Sequence, residues 1–388
     1  MNNTFKLAAV SSAALMIAAA PAMADGHPTL KLGGYYDQKI SVSSNDSSAL
    51  RQDDVDVRND VEIYFLGAAQ LDNGIKIKTR VELEGGTVGT ATTPDGGNSV
   101  NGGAADFDQI DEAFMVLSGG FGSIKIGHSD TAAKGMTTGL QGSWMANVGE
   151  NMSFNITKLM ARPATVSVRP TPDAQMDLSS DGEQISYTTP SMGGFQVAVG
   201  YAANTDETFD GTTRAGARND ITDIGVRYMG KMDDISFRFG GGYVTANEAV
   251  VGRDDTSAWI VGGVAKMGAI QVSASFSRQD SSDTNNVEST AEIDSVGLGI
   301  RYFAGANQFS LAYARSENNA DTTQALAAQN GDEETTMALA MRRKLGKGIS
   351  WHNTLFYYDA EDGNATPATG AVTSNDGFAF TTGIKVGF

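Results

Sequence analysis

The stretch from Val61 to Glu84, VEIYFLGAAQLDNGIKIKTRVELE, constrains this chain more than any other. It reads as two strands joined at Asp72-Asn73-Gly74, a turn in which Asn-Gly accepts the positive φ that a tight hairpin imposes. In the second strand Ile75, Ile77, Thr79, Val81 and Leu83 take one face, and Lys76, Lys78, Arg80, Glu82 and Glu84 take the other. Side chains alternate across a strand, so one face is apolar and its reverse is charged throughout. In a soluble sandwich the charged face would meet water. In a membrane barrel the apolar face would meet lipid and the charged face would line a wet lumen. The hairpin alone is compatible with both.

The same period of two returns along the chain, as in Phe195–Tyr201, Ile224–Tyr228, Ile270–Phe276, Val296–Tyr302, Phe309–Tyr313 and Phe378–Phe388. Short turns fall at Asp72–Gly74, Ser118–Gly122, Pro190–Gly194, Lys231–Asp234, Lys266–Ala269, Ala304–Asn307 and Leu345–Gly348. Between them lie longer polar segments at 42–58, 85–108, 129–183, 204–220, 246–255, 280–290, 317–333 and 359–376. Seven short and eight long connections join sixteen strands, an even up-and-down meander with short turns on one rim and long loops on the other. A soluble sandwich has no reason to sort its loops by length, so the pattern favours an all-β, 16-stranded antiparallel transmembrane β-barrel. Two places resist assignment: in Gln109–Leu117 either Asp111 or Glu112 must face outward, and the parity around Trp259 is ambiguous. Tyr201, Tyr228, Tyr243, Tyr302, Tyr313 and Phe388 fall near strand ends, where aromatic girdles meet headgroups.

Residues 1–24 read as a secretory leader, with Lys6 before an apolar run and Ala22-Met23-Ala24 as the cleavage site. Residues 25–388 then form the mature barrel, with 27 basic and 46 acidic residues and a net charge of −19. That balance argues against nucleic acid as a partner. No later run approaches the roughly 18 apolar residues of a membrane helix. The absence of cysteine leaves hydrogen bonding, burial or a membrane to hold the exported chain together.

The start TLKLGGYYD (Thr29–Asp37), the blocks DEAFMVLSGGFGSIKIGHSDTA (Asp111–Ala132) and ISYTTPSMGGFQVAVGY (Ile185–Tyr201), and the end TGIKVGF stand in an order and spacing that resembles the general diffusion porins of Gram-negative outer membranes. The resemblance implies a homotrimer of such barrels in the outer membrane, among lipid and lipopolysaccharide, with the loop after the fifth strand folded into the lumen. That loop would be 129–183, where acidic groups would face basic groups on the wall. The implied constriction sets Glu150, Asp130 and Asp173 against Arg80, Lys78, Lys76, Lys31 and Lys125, with Arg227, Arg238, Arg301, Arg342 and Lys385 elsewhere around the lumen. The loop lacks the Pro-Glu-Phe-Gly-Gly segment of the enterobacterial pattern and carries Lys134, Lys158, Arg162 and Arg169.

No catalytic motif competes with this reading. His27, His128 and His352 have no metal-ligand spacing, and Gly119–Gly122 precedes a strand, not a phosphate-binding helix. No cofactor is required, although Ca²⁺ could bind acidic loops such as Asp53-Asp54-Val55-Asp56. The expected function is passive diffusion of small hydrophilic solutes and ions with weak cation selectivity. A substrate-selective channel on the same barrel is the alternative. A barrel enzyme would need a lipid-level Ser-His pair, for which only His352 is placed, and a soluble adhesin would not need detergent.

Overall fold

At the organising hairpin, the Ile75 N–H donates to the Asn73 side chain (3.1 Å). Gly74 takes φ +85°, as the Asn-Gly pair requires. The computed structural model describes residues 27–45, 55–86, 110–140, 163, 166, 168, 176–179, 181–205, 218–248, 255–282, 290–319, 330–363 and 372–388; the expected leader lies outside them. Its strands are β1 (Thr29–Asn45), β2 (Val55–Gln70), β3 (Lys76–Gly86), β4 (Ala113–Gly119), β5 (Gly122–His128), β6 (Glu183–Thr188), β7 (Phe195–Asn204) and β8 (Arg218–Met232). They continue as β9 (Ile235–Glu248), β10 (Thr256–Met267), β11 (Ile270–Ser282), β12 (Thr290–Ala304), β13 (Asn307–Asn318), β14 (Glu333–Gly346), β15 (Ile349–Glu361) and β16 (Ser374–Gly387). Each pairs antiparallel with its neighbours in sequence, and β1 pairs with β16 to close the barrel. Beyond the last strand, Phe388 and Gly34 exchange backbone hydrogen bonds of 3.1 and 3.2 Å across that seam.

All seven expected short turns connect strands. The strands run further into the long connections than polarity suggests; β1 reaches Asn45 and β2 begins at Val55. Ladder hydrogen bonds satisfy the backbone whatever the side chains, so a polar strand can continue above the apolar band.

Leu298, Ile300, Leu311, Leu339 and Phe380 point outward and are 40–57% exposed, whereas Ser295, Ser310, Thr336 and Thr381 on the opposite faces are buried. This inverts the soluble pattern and suits lipid outside with a polar interior. The aromatic residues expected at the strand ends lie on the outward faces. The register settles both ambiguous places. Glu112 turns inward, where its carboxylate meets Arg80 at 3.6 Å. Trp259 faces outward beside Phe276, their rings 5.4 Å apart, while Ala258 and Ile260 face inward and are buried. The parity was unreadable because the inner face is apolar here as well.

The loop after β5 supplies the reason. Its helix α1 (Ala132–Thr137) is capped by Thr131, whose hydroxyl accepts from the Lys134 N–H and donates to the Met176 carbonyl (2.6 Å). Leu140, Met176 and Leu178 pack on Ala202, Ile221, Val244, Ala246, Ala258 and Ile260, on the lumen side of β7–β10. Val166 and Val168 pack on Ala312, Ala314, Ala338, Phe356, Tyr358, Ala360 and Ala379, on β13–β16. The segment thus docks on two separate sections of the inner wall. A Cβ at Gly225 would lie 2.6 Å from Met136 Cβ and 3.0 Å from Ala133 Cα; glycine lets α1 approach that closely.

Candidate functional site

Every second residue of β3 enters the lumen, so the charged face read from sequence becomes wall. Arg80 is buried there. It is ion-paired with Glu82 and close to Glu112, and its guanidinium lies 4.3 Å above the Tyr64 ring. Glu62 accepts hydrogen bonds from the hydroxyls of Tyr35 and Tyr64. Lys78 is half-buried and Lys76 exposed toward the short-turn rim, as is Lys31 near the start of β1. Lys125 donates from Nζ to the Asp130 carbonyl (2.8 Å) and lies 5.4 Å over the Phe114 ring.

Asp130 is brought near Arg80 only indirectly. Its N–H approaches Glu112 Oε1 at 3.4 Å, while its carboxylate pairs with Lys134. Lys134 also reaches Asp177 (3.1 Å), which accepts from the Ser179 hydroxyl (2.8 Å). Burial, then the charges of Asp177 and Glu112, push Asp130 up to about 7 against the pull of Lys134. Burial and the neighbouring Asp177 and Asp130 push Asp181 up to about 10. Burial also works against the Asp177 carboxylate, yet Lys134 and the hydrogen bonds hold it below the usual range. Glu150 and Asp173 lie outside the described residues, as do Lys158, Arg162 and Arg169.

Glu82, Glu112 and the Lys134–Asp177 pair were absent from the expected constriction. The alternation of β3 could have placed Glu82; Glu112 needed the β3–β4 register. Two carboxylate triads, Glu62-Glu82-Glu84 and Asp130-Asp177-Asp181, bring three oxygen ligands close together. Arg80 and Lys134 already supply a cation to each. Of the acidic loop residues considered for Ca²⁺, Asp56 is paired with Arg58; Asp53 and Asp54 lie outside the described residues. His352 faces the lumen, with Nε2 3.0 Å from Asp37 Oδ1, which does not suit a lipid-level catalytic pair.

The inward charges sort along the barrel axis. Toward the long-loop rim, cations stand beside carboxylates: Lys39 with Asp37 (3.4 Å) and Asp60 (3.9 Å), Arg58 with Asp56, Arg218 with Glu248 (3.4 Å). Toward the short-turn rim, Arg227, Arg238 and Arg342 form no ion pair among the described residues. Instead Arg227 donates to Gln196 (2.8 Å) and Arg342 to Gln308 (2.9 Å). Lys266 lies 4.1 Å over the ring of Phe303, whereas Lys385, 3.0 Å over the Tyr35 ring, stands opposite Asp37 in the β1–β16 register. Amide oxygens and ring faces hold a cation in place without cancelling its charge.

Comparison with known proteins agrees with this architecture. The sequence profile of the Gram-negative porin family matches residues 11–363. No curated protein matches the sequence. Among solved structures, the anion-selective porin from Comamonas acidovorans is 18% identical, with 93% of this chain and 100% of that one covered and a TM-score of 0.58. The trimer form of OmpT, an outer membrane protein of Vibrio cholerae, is 12% identical over 93% and 99% of the two chains, with a TM-score of 0.61. A mutant of the Rh. blastica porin is 16% identical over 93% and 100%, with a TM-score of 0.55.

Proposed function

We propose a charge-zoned permeation path for this chain, which belongs to the Gram-negative porin family and forms a diffusion channel in the outer membrane. Passive diffusion needs no cofactor, and selectivity in such a pore comes from its width and the charges lining it. The acidic composition by itself favours cations. The lumen opposes that with Lys78, Lys125, Arg227, Arg238, Lys266 and Arg342 toward the short-turn rim, against paired or acidic groups further out. The observation that carries the reading is this axial segregation, with Arg227 and Arg342 held by amides.

A channel with oppositely charged halves rectifies, and its overall ion preference is small. Bilayer recordings under a salt gradient applied from either side test it. A reversal potential whose magnitude changes with the gradient's direction is expected; a strong cation preference independent of direction would sink the proposal. A substrate-selective variant would instead show saturable, solute-specific block.

We further infer a homotrimer. The trimeric structural relative supports it, and so does the short wall at β4–β6, whose strands have 7, 7 and 6 residues. At about 3.3 Å per residue and a 45° tilt, seven residues rise only about 16 Å, short of an apolar band about 25 Å tall. A neighbouring copy would shelter that section.

A further inference from the structure

We propose that the inner wall of β12–β14 holds a binding site for a small oxyanion, a carboxylate or phosphate carried by a permeating solute. This rests on the channel reading and deepens it. Arg301 on β12 stands opposite Ser310 on β13, and Arg342 on β14 stands opposite Gln308, two residues along β13. The two arginines thus stand on the inner face of the strands on either side of β13. Gln308 fixes Arg342 through its amide oxygen (2.9 Å), leaving the remaining N–H groups of the guanidinium fork to other acceptors.

Between them, Ser310 is 3% exposed, and its hydroxyl has no hydrogen-bond partner among the described residues. A buried hydroxyl without a partner is costly. Here it stands opposite Arg301 and two residues from the position facing Arg342, and one oxyanion would accept from the hydroxyl and from the guanidinium forks together. Guanidinium forks match the planar geometry of carboxylate and phosphate oxygens, which chloride cannot reproduce. Phe303 closes the floor toward the short-turn rim, with Lys266 over its ring at 4.1 Å and Arg301 at 5.9 Å. Arg342 and Gln308 are half-buried and form the lumen-facing edge, with Arg301 and Ser310 behind them.

The test adds inorganic phosphate, and in a parallel arm acetate, to KCl current through the detergent-purified protein in planar bilayers. Isothermal titration of the same anions reads the site without current. Phosphate should reduce chloride current saturably. Arg342→Gln and Arg301→Gln should each raise the half-blocking concentration at least about tenfold. Arg342→Lys, which keeps the charge and loses the fork, should keep the ion preference and still weaken the block. Ser310→Ala should weaken it several-fold, and Arg278→Gln, on the outer surface, should not change it. Gel mobility before and after boiling checks that each variant folds. Saturation by acetate and not phosphate would make the ligand a carboxylate; the reverse would make it a phosphate. Block that grows linearly with both anions, or that survives Arg342→Gln and Arg301→Gln, overturns the site. Absence of current from folded protein would remove the channel reading. The titration would still decide the site, which falls if no saturable heat is seen.

Discussion

Arg80 shows how far one residue could be read from sequence. The alternation of β3 places it on the charged face, and the fold puts it in the lumen. Its partners, however, come from different distances along the chain. Glu82 is on the same face of the same strand, whereas Glu112 precedes β4, where two adjacent acidic residues left the parity open. With its side chain 8% exposed between carboxylates that are 4% and 8% exposed, Arg80 neutralises buried charge. Arg80→Gln should cost roughly 3 kcal/mol, because it strands Glu82 and Glu112 without a cation. Adding Glu112→Gln should recover part of that loss. Urea unfolding from lipid vesicles measures both; a single-variant change below about 0.5 kcal/mol, the scale of a neutral surface substitution, would mean that lumen water already solvates the group.

At the scale of an element, the loop after β5 was legible by its length and illegible in its path. The apolar inner faces of β7–β10 and β13–β16 were the trace it left, and they read as noise around Trp259 because a polar-in rule assumes water in the lumen everywhere. Its anchorage near α1 should depend on pH. The docked loop raises Asp130 from an ordinary 3.8 to about 7, so the docked state holds a proton that the released loop gives up. Docking is therefore strongest below about pH 4 and weakens as pH rises through about 7. Asp181, raised from 3.8 to about 10, acts in the same direction over a wider window, from about pH 4 to about pH 10. Asp177 is held low and Lys134 high, so both stay charged between these limits. Amide exchange in α1 should be faster at pH 8 than at pH 5 beyond the intrinsic change. Asp130→Asn should remove part of the difference, and Asp181→Asn added to it most of the rest. Equal protection at both pH values in the unmodified protein would show that apolar packing alone sets the docking.

For the whole molecule, alternation identified two faces and could not say which solvent each one met. Sorting the connections by length decided that, because only a barrel with two unlike rims requires it. What alternation still could not show was whether lipid or protein covers a given outward face, since both accept the same apolar side chains. The heights of the strands carry that information. On the tall side, Leu298 stands outward in a 15-residue strand; on the short side, Ile126 stands outward and 42% exposed in a strand of seven. Lysine at Leu298 should destabilise each barrel by about 2–4 kcal/mol if it lies at the bilayer midplane, the cost of burying its charge in lipid. Lysine at Ile126 should act on assembly instead, placing like charges into a contact between copies and releasing monomers that still shift mobility on boiling. Native gels and unfolding curves of the two variants separate the cases. If Ile126→Lys left the oligomer intact and lost stability as Leu298→Lys does, lipid would cover the short wall, and the strands there would have to hold the bilayer thinned around them.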